Sequence, residues 1–196
     1  MWYYFCMKFN KDTFEIIFFA RAGQGAKTAA EILAQAAMQE GKYIQAFPYY
    51  GPERSGAPTK AYVRISTRPI RIHEPITDPD LVVVLDETLL SSQDVSKNLD
   101  RNESLIINTK KSGAEIKNLI KDFQGTVNAI DAMSVAINKT GQPSINSVIL
   151  GNIIKVSEVA KLESVEEEFR KIFEQKIGKE LTDKNIQAIQ AGYDSL

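Results

Sequence analysis

The run Leu-Val-Val-Val-Leu at residues 81–85 is the feature that most restricts the fold of this chain. A strand with one face in water alternates apolar and polar residues, whereas a continuous apolar run is typical of a strand buried on both faces of a parallel sheet. Asp78-Pro79-Asp80 directly precedes the run and breaks any regular structure there. The run therefore predicts a sheet that is covered on both sides by other elements.

The rest of the chain alternates between strand and helix patterns. Further strands are predicted at residues 14–19, 43–47, 59–66, 104–108 and 126–130, and helices at 28–40, 114–123, 144–160, 165–177 and 183–193. Residues 67–68 are expected to turn the chain into a short strand at 69–72, which forms a β-hairpin with 59–66. This order predicts an α/β fold: a three-layer α/β/α, Rossmann-like domain with a largely parallel, mixed sheet. No linker or repeat divides the pattern, so we expect one domain over residues 1–196.

The first residues stand apart from this domain. Residues 1–6 are apolar and aromatic, and a second methionine follows at Met7. The stretch lacks the basic region and cleavage site of a signal peptide and is too short to span a bilayer. We expect residues 1–12 to be a flexible or mis-assigned N-terminal extension. Residues 1–6 either lie upstream of a natural start at Met7 or form an apolar arm that docks on a partner subunit.

Charge and composition exclude several classes of function. The formal net charge is -1, so no basic field favours nucleic acid or an acidic membrane as a partner. Cys6 and His73 are the only cysteine and histidine, which leaves no ligand set for zinc or an iron–sulfur cluster and no catalytic triad. We therefore predict no metal site and no catalytic residue in this chain, and a cytoplasmic location.

A loop of small residues, Arg21-Ala22-Gly23-Gln24-Gly25-Ala26-Lys27, follows the first predicted strand and precedes a helix. Such a loop lets backbone N–H groups approach a ligand, and the helix N-terminus adds partial positive charge, so the arrangement suits a phosphate or pyrophosphate. It matches neither the P-loop, because Ala26 precedes Lys27, nor the dinucleotide fingerprint, because Thr28 occupies the last glycine position. Taken alone, the loop is equally well explained as a tight turn that needs glycine.

A second loop, at residues 49–58, follows the second predicted strand, and its prolines and glycines exclude regular structure. If both strands point the same way, this loop and the glycine loop emerge at the same edge of the sheet. Arg54 is suited to a bidentate contact with a phosphate or carboxylate, and Ser55 can add a hydrogen bond. A surface Arg-Glu pair on an interface loop is the equal alternative.

Three segments together resemble one enzyme family. The segments at residues 20–29 and 41–58, with Pro-Asp-Leu-Val-Val-Val-Leu-Asp-Glu-Thr-Leu at 79–89, are similar to the γ subunits of pyruvate (2-oxoacid):ferredoxin oxidoreductases. Weaker similarity at residues 143–151 and 191–193 extends the resemblance over most of the chain. One departure is Ala20, where the family usually has glycine.

The resemblance implies a non-redox subunit of a multi-subunit enzyme. Partner subunits would hold thiamine diphosphate and iron–sulfur clusters, pass electrons to ferredoxin and transfer the acyl group to coenzyme A, while this chain alone would be inactive. It would help to bind coenzyme A as co-substrate. The expected contacts are Gly23, Gln24, Gly25, Ala26, Lys27, Arg54 and Ser55.

Three alternatives remain at this stage. The complex could act on 2-oxoisovalerate, indolepyruvate or 2-oxoglutarate instead of pyruvate. The chain could be a free-standing Rossmann-like nucleotide-binding enzyme, an idea that rests on fold analogy only. It could also be a structural subunit that touches no ligand.

Overall fold

The computed structural model describes residues 11–49, 56–120 and 123–196. Six strands, six α-helices and one short 3₁₀ helix occur in this part of the chain. In chain order they are β1 (Thr13–Arg21), α1 (Ala26–Gln39), β2 (Tyr43–Tyr49), β3 (Pro58–Ser66), β4 (Leu81–Val84), the 3₁₀ helix (Glu87–Ser91), β5 (Ser104–Asn108), α2 (Gly113–Leu119), β6 (Thr126–Ile130), α3 (Ala132–Thr140), α4 (Ile145–Ser157), α5 (Leu162–Ile177) and α6 (Lys179–Asp194).

The strands form one mixed sheet in the order β2-β3-β1-β4-β5-β6. β1, β4, β5 and β6 are parallel neighbours, whereas β3 runs antiparallel to both β1 and β2. Five of the six described strands therefore point in the same direction, and their carboxyl ends share one edge. The predicted fold class, an α/β/α domain with a largely parallel, mixed sheet, is confirmed.

The position predicted for the hairpin is wrong. Residues 69–72 lie in the described part of the chain and contain no strand. The physical reason is that β3 has no free edge: β1 pairs with it from Thr13 to Arg21, and β2 pairs with its other side from Tyr43 to Tyr49. The antiparallel unit of the sheet is therefore β2–β3–β1, and the chain after β3 is irregular as far as β4.

Local capping explains most differences at the helices. The helix predicted at residues 114–123 is the shorter α2. Ser112 and Glu115 form a capping box that starts it at Gly113, and it ends at Leu119. α3 was not predicted; it begins directly after β6, where the Asp131 side chain accepts a hydrogen bond from the N–H of Ser134. Short helices with a weak apolar period are difficult to recognise from pattern alone.

One side of the sheet, which we call the helical face, is covered by α1, α3, α4, α5 and α6. α1 approaches closely because its buried positions are mostly alanine. α4 and α6 approach still more closely at Gly151 and Gly192, where an added methyl group would overlap backbone atoms of the facing helix. The helical face is therefore the more tightly filled side of the molecule.

The other side, which we call the open face, has a thinner cover. Over β4, β5 and β6 it consists of α2, the 3₁₀ helix and the side chains of Ile120 and Phe123. Over β1 and β3, Ile76 and Val95 from irregular segments pack against the sheet. Among the described helices, none is long and apolar enough to cross a membrane.

β2 forms an outer edge of the sheet. Pro48 lies within β2, opposite Ala61 of β3. Proline has no N–H to donate, so it is confined to edge strands in sheets. Its presence is consistent with the edge position that the structure gives to β2.

Candidate functional site

The glycine loop connects β1 to α1 at the carboxyl edge of the sheet. Gly23 and Gly25 have φ values of 96° and 80°, in the left-handed region that favours glycine. The N–H of Gln24 donates to the Arg21 carbonyl at 3.1 Å, which closes the turn. Gly25 then serves as the N-cap of α1, where it offers no side chain to the amides of the first helical turn.

An ionic network ties this loop to the end of β4. The Arg21 Nε lies 3.2 Å from Asp86 Oδ2, and Arg21 Nη2 donates to Thr88 Oγ1 at 2.7 Å. Thr88 donates in turn to Asp86 Oδ1 through its backbone N–H, at 3.0 Å, and through its hydroxyl, at 2.5 Å. Arg21 Nη1 also donates to the carbonyl of Gly56 in the second loop, at 3.0 Å. One arginine therefore joins three loops at the same edge.

The Gln24 side chain is part of the same network. Its Oε1 accepts from the N–H of Arg21 at 2.7 Å, and its Nε2 donates to Asp86 Oδ2 at 2.9 Å. Burial alone would raise the pKa of Asp86, but the hydrogen bonds from Thr88 and Gln24 and the charge of Arg21 outweigh it and lower that pKa. Asp86 is therefore a carboxylate at neutral pH, and it fixes the glycine loop in one conformation.

The predicted adjacency of the two loops is confirmed for the part of the second loop that the structure describes. The N–H of Ala22 donates to the carbonyl of Ala57 at 3.0 Å, beside the contact between Arg21 and Gly56. Arg54 and Ser55, the side chains predicted to contact phosphate, lie outside the described residues.

Two helices begin next to each other at this edge. A methyl group on Gly25, the N-cap of α1, would come within 3.0 Å of the side-chain nitrogen of Asn146 in the first turn of α4. Neither N-cap, Gly25 or Ser144, makes a side-chain capping hydrogen bond with a described residue. Amides in uncapped first turns, together with the helix dipoles, favour negative charge nearby.

A cleft of about 370 Å³ opens beside this network, beyond the ends of β4, β5 and β6. Its charged groups are mixed. Lys110 and Lys111 face Asp86, Glu87 and Asp131 across it. Lys111 Nζ lies 2.7 Å from Glu87, whose pKa is lowered by hydrogen bonds from Lys111 and then Thr109. Among the predicted contact residues that the structure describes, Gln24 is the one that lines this cleft.

The remaining predicted residue of the first loop points elsewhere. Lys27 lies in the first turn of α1, and its ammonium group is 3.5 Å from Glu31 one turn later. The side chain is exposed and follows the helix surface rather than turning into the cleft. His73, which carried no catalytic prediction, lies near β2 with its Nδ1 3.2 Å from Gln45 Nε2.

Sequence reasoning missed the part played by Arg21 and Thr88. Asp86 follows β4 at this edge and caps the 3₁₀ helix, where its side chain accepts a hydrogen bond from the N–H of Thr88. The sequence signal for this network is Arg21 at the end of β1 and Asp86 shortly after the end of β4. Because the arginine and threonine partners are separated by 67 residues in sequence, only the sheet order brings them together.

The fold and this edge define a class: an open α/β protein with its candidate ligand site beyond the carboxyl ends of the strands. The family model for pyruvate ferredoxin/flavodoxin oxidoreductase matches residues 15–195. The chain therefore belongs to the pyruvate:ferredoxin oxidoreductase family, as a member of its γ subunit group.

Known relatives agree over nearly the whole length. The chain is 44% identical over 180 residues to the common γ subunit of the pyruvate/ketoisovalerate oxidoreductases of Thermococcus kodakarensis, covering 92% of this chain and 95% of that subunit. It is similar to the crystal structure of pyruvate oxidoreductase subunit PORC from Thermotoga maritima, with a TM-score of 0.83, 38% identity, and coverage of 94% of this chain and 97% of the other.

The same fold also occurs inside a longer polypeptide. The 2-oxoglutarate:ferredoxin oxidoreductase structure from Magnetococcus marinus matches with a TM-score of 0.76 and 17% identity, over 95% of this chain but 32% of the longer one. The similarity at this identity concerns the fold alone.

Proposed function

We propose that this chain is the non-redox γ subunit of a multi-subunit 2-oxoacid:ferredoxin oxidoreductase that forms an acyl-coenzyme A product. Family membership over residues 15–195 is the observation that carries the proposal. The iron–sulfur clusters are proposed to belong to partner subunits, because a chain with one cysteine and one histidine cannot hold a cluster, and thiamine diphosphate is proposed to be bound there as well. The isolated chain is expected to be inactive, and the complex to work in the cytoplasm.

Pyruvate is the proposed 2-oxoacid. The relatives support it by name: one is a γ subunit common to pyruvate and ketoisovalerate oxidoreductases, and another is a pyruvate synthase subunit. A γ subunit shared by two oxidoreductases implies that the partner subunits choose between the acids. Branched-chain 2-oxoacids therefore remain the alternative substrates.

Within the complex, the glycine loop is proposed to contact coenzyme A. The contacts would come from the backbone of Gly23, Gly25 and Ala26, with Gln24 and Lys27 beside them, and from Arg54 and Ser55 for the phosphates. The uncapped first turns of α1 and α4 support this role, since open amides suit the phosphate and pyrophosphate groups of that molecule. The Arg21–Asp86 network supports it as well, because it holds the loop preformed.

Calorimetry of coenzyme A binding to the assembled complex tests the proposed contact. Replacing Arg54 by alanine should weaken binding about tenfold or more, since a charge-assisted hydrogen bond is lost. Arg68→Ala is the matched control: Arg68 is exposed and pairs with Asp12 near the opposite edge of the sheet. Unchanged affinity in the Arg54 variant would refute the phosphate clamp and leave subunit membership intact.

A purely structural subunit is the second candidate, favoured by one observation. The Gln24 amide is fully engaged within the chain, and the adjacent cleft carries both signs of charge rather than a basic field. A structural role predicts that variants in the two loops lower the yield of complex while the KM for coenzyme A stays unchanged in the complex that does form.

A further inference from the structure

Aromatic and cationic side chains form a patch on the open face, near the carboxyl end of β2. We define it by Phe47, Tyr49, Lys60, Tyr62 and Lys97 and call it the aromatic–lysine patch. Tyr49 lies opposite Lys60 in the β2–β3 register, and Phe47 lies opposite Tyr62. The Tyr62 ring is 5.1 Å from the Phe47 ring and 6.3 Å from the Tyr49 ring. Tyr49 is nevertheless 55% exposed, so its ring is available to a partner.

The positive charge at the patch is not neutralised by described residues. Lys60 Nζ lies 4.5 Å from the centroid of the Phe19 ring, a cation–π contact. Burial lowers the pKa of Lys60, and the charge of Lys97 lowers it further. Within the described part of the chain, no carboxylate forms an ion pair with Lys60 or Lys97.

A cavity of about 240 Å³ lies between the patch and the irregular segments that follow β3 and the 3₁₀ helix. Its apolar floor includes Phe19, Ile76 and Val82, and the two lysines stand at its wall with Tyr62. Asp94 is the carboxylate that lines it, and Ser96 Oγ donates to that group at 3.4 Å. The cavity therefore combines an apolar base with an excess of positive charge.

We propose that the aromatic–lysine patch is a docking surface for a partner subunit of the same complex, which inserts an acidic side chain beside an apolar one. The carboxylate would pair with Lys60 and Lys97, and the apolar side chain would cover Tyr49 and the cavity floor. Charge complementarity selects this occupant, since aromatic anchors surrounded by opposite charges are the usual centre of a specific interface.

A second copy of this chain fits the patch less well. A two-fold dimer brings the same surface of each copy together, so residue i meets residue j and the reverse. Two lysines and one carboxylate, Asp94, line the cavity of each copy, so a dimer would bring two surfaces with excess positive charge together, and like charges in that arrangement repel. The partner is therefore a different polypeptide.

This inference rests on the proposed function, because it needs the complex to exist. Lysine acetylation with an amine-reactive ester, read by mass spectrometry, compares the isolated chain with the native assembled complex. Lys97 is exposed in the isolated chain, and we expect its labelling to fall at least about fivefold on assembly. Lys184, half-buried on α6 and paired with Glu180, is the control and should label equally in both states. Equal labelling of Lys97 in both states would overturn the docking surface.

Variants at Lys97 provide the second measurement. Lys97→Glu should weaken capture of the co-expressed thiamine- and cluster-binding subunits at least about tenfold, Lys97→Arg should not, and neither should Lys184→Glu. A thermal midpoint of the isolated Lys97→Glu chain close to wild type confirms that the fold is intact. Wild-type capture by Lys97→Glu would overturn the inference, as would equal loss in the arginine variant.

The two proposals fail in different ways. If the wild-type chain never assembles with such subunits, the proposed function is wrong. If the wild-type complex forms and Lys97 stays labelled, the proposed function stands and the docking surface is wrong. Self-association of the isolated chain that Lys97→Glu strengthens would assign the patch to a second copy and would also overturn the inference.

Discussion

Ile16 and Ile17 are neighbours on β1, yet they belong to opposite sides of the sheet and to different surroundings. Ile16 is completely buried under the helices of the helical face. Ile17 lies on the open face, beside Tyr62 and a cavity that no helix of the described residues lines. Both residues look identical in a sequence pattern. The comparison teaches that the helical face is fully covered by helices of this chain, whereas the open face leaves aromatic and charged side chains accessible to a partner.

The same division extends along the three antiparallel strands. On the helical face, β3 presents Ala61, Val63 and Ile65, which are all buried. On the open face it presents Lys60, Tyr62 and Arg64, and Arg64 Nη1 donates to Gln45 of β2 at 2.8 Å. Polar contacts between strands thus replace a covering helix there. We expect stability to depend mainly on the helical face and assembly mainly on the open face.

Gly192→Ala should give the largest loss of stability and is the strongest test of the helical face. The added methyl group would overlap the carbonyl of Val148 in α4, so the α4–α6 contact must open. We expect the free energy of unfolding, measured by urea denaturation, to fall by more than about 3 kcal/mol.

Gly113→Ala is the matched change on the open-face side. There the new methyl group meets the Val127 carbonyl oxygen at 3.2 Å, and alanine favours the helix, so the expected change is within about 1 kcal/mol. Equal effects at Gly192 and Gly113 would contradict the difference in packing between the faces.

Ile16→Ala and Ile17→Ala compare the faces at adjacent positions. We expect Ile16→Ala to cost about 3 kcal/mol and Ile17→Ala about 2 kcal/mol, because a void under rigid helices relaxes less than one beside an open cavity. Denaturant titrations of both variants measure the difference. A larger loss at Ile17 would reverse the assignment of the two faces.

Asp86→Asn tests the Arg21–Asp86 network at the carboxyl edge of the sheet. Loss of the charge should lower the free energy of unfolding by about 1 kcal/mol at neutral pH, because a partly exposed charge-assisted network is weakened. The pKa of Asp86 is lowered in the folded chain, so its contribution is present above the ordinary aspartate value of about 3.9 and is lost as the pH falls below it. Unfolding measured from pH 7 to pH 2 should show the two proteins converging. A difference that persists at the lowest pH would mean that the charge is not the cause.

Tyr49→Ser should give the smallest loss of stability. The ring is more than half exposed and contacts Tyr62 edge-on, so its removal should cost less than about 1 kcal/mol in the isolated chain. Thermal unfolding of the isolated chain measures this value. A loss as large as that of Ile17→Ala would make Tyr49 a core residue rather than part of a docking surface.

Local patterns predicted the repetitive parts of the fold well. The apolar run at residues 81–85 identified a buried parallel strand, and the glycine loop was placed correctly between β1 and α1. Pattern alone did not predict that β3 inserts between β2 and β1, because this pairing depends on contacts such as Arg64 with Glu15, 49 residues apart. Local pattern therefore predicts a hairpin between residues 59–66 and the next segment, 69–72. That pairing is impossible because β1 and β2 occupy both sides of β3.

The candidate site divides in the same way. Glycines with positive φ are required by the local turn, so Gly23 and Gly25 could be recognised from sequence. The Arg21–Asp86 network could not, because its members come from three loops that only the sheet order brings together. The contact of Gly25 with Asn146 likewise depends on where α4 begins relative to α1.

Pro48 has a consequence for the time before assembly. An edge strand is a template on which another chain can add a strand, and such addition leads to aggregation. Proline in β2 removes a donor from that template, which makes the edge a poor starting point for β-strand addition. Before assembly, the aromatic–lysine patch is therefore exposed, while the backbone of the β2 edge resists the addition of a strand from another chain.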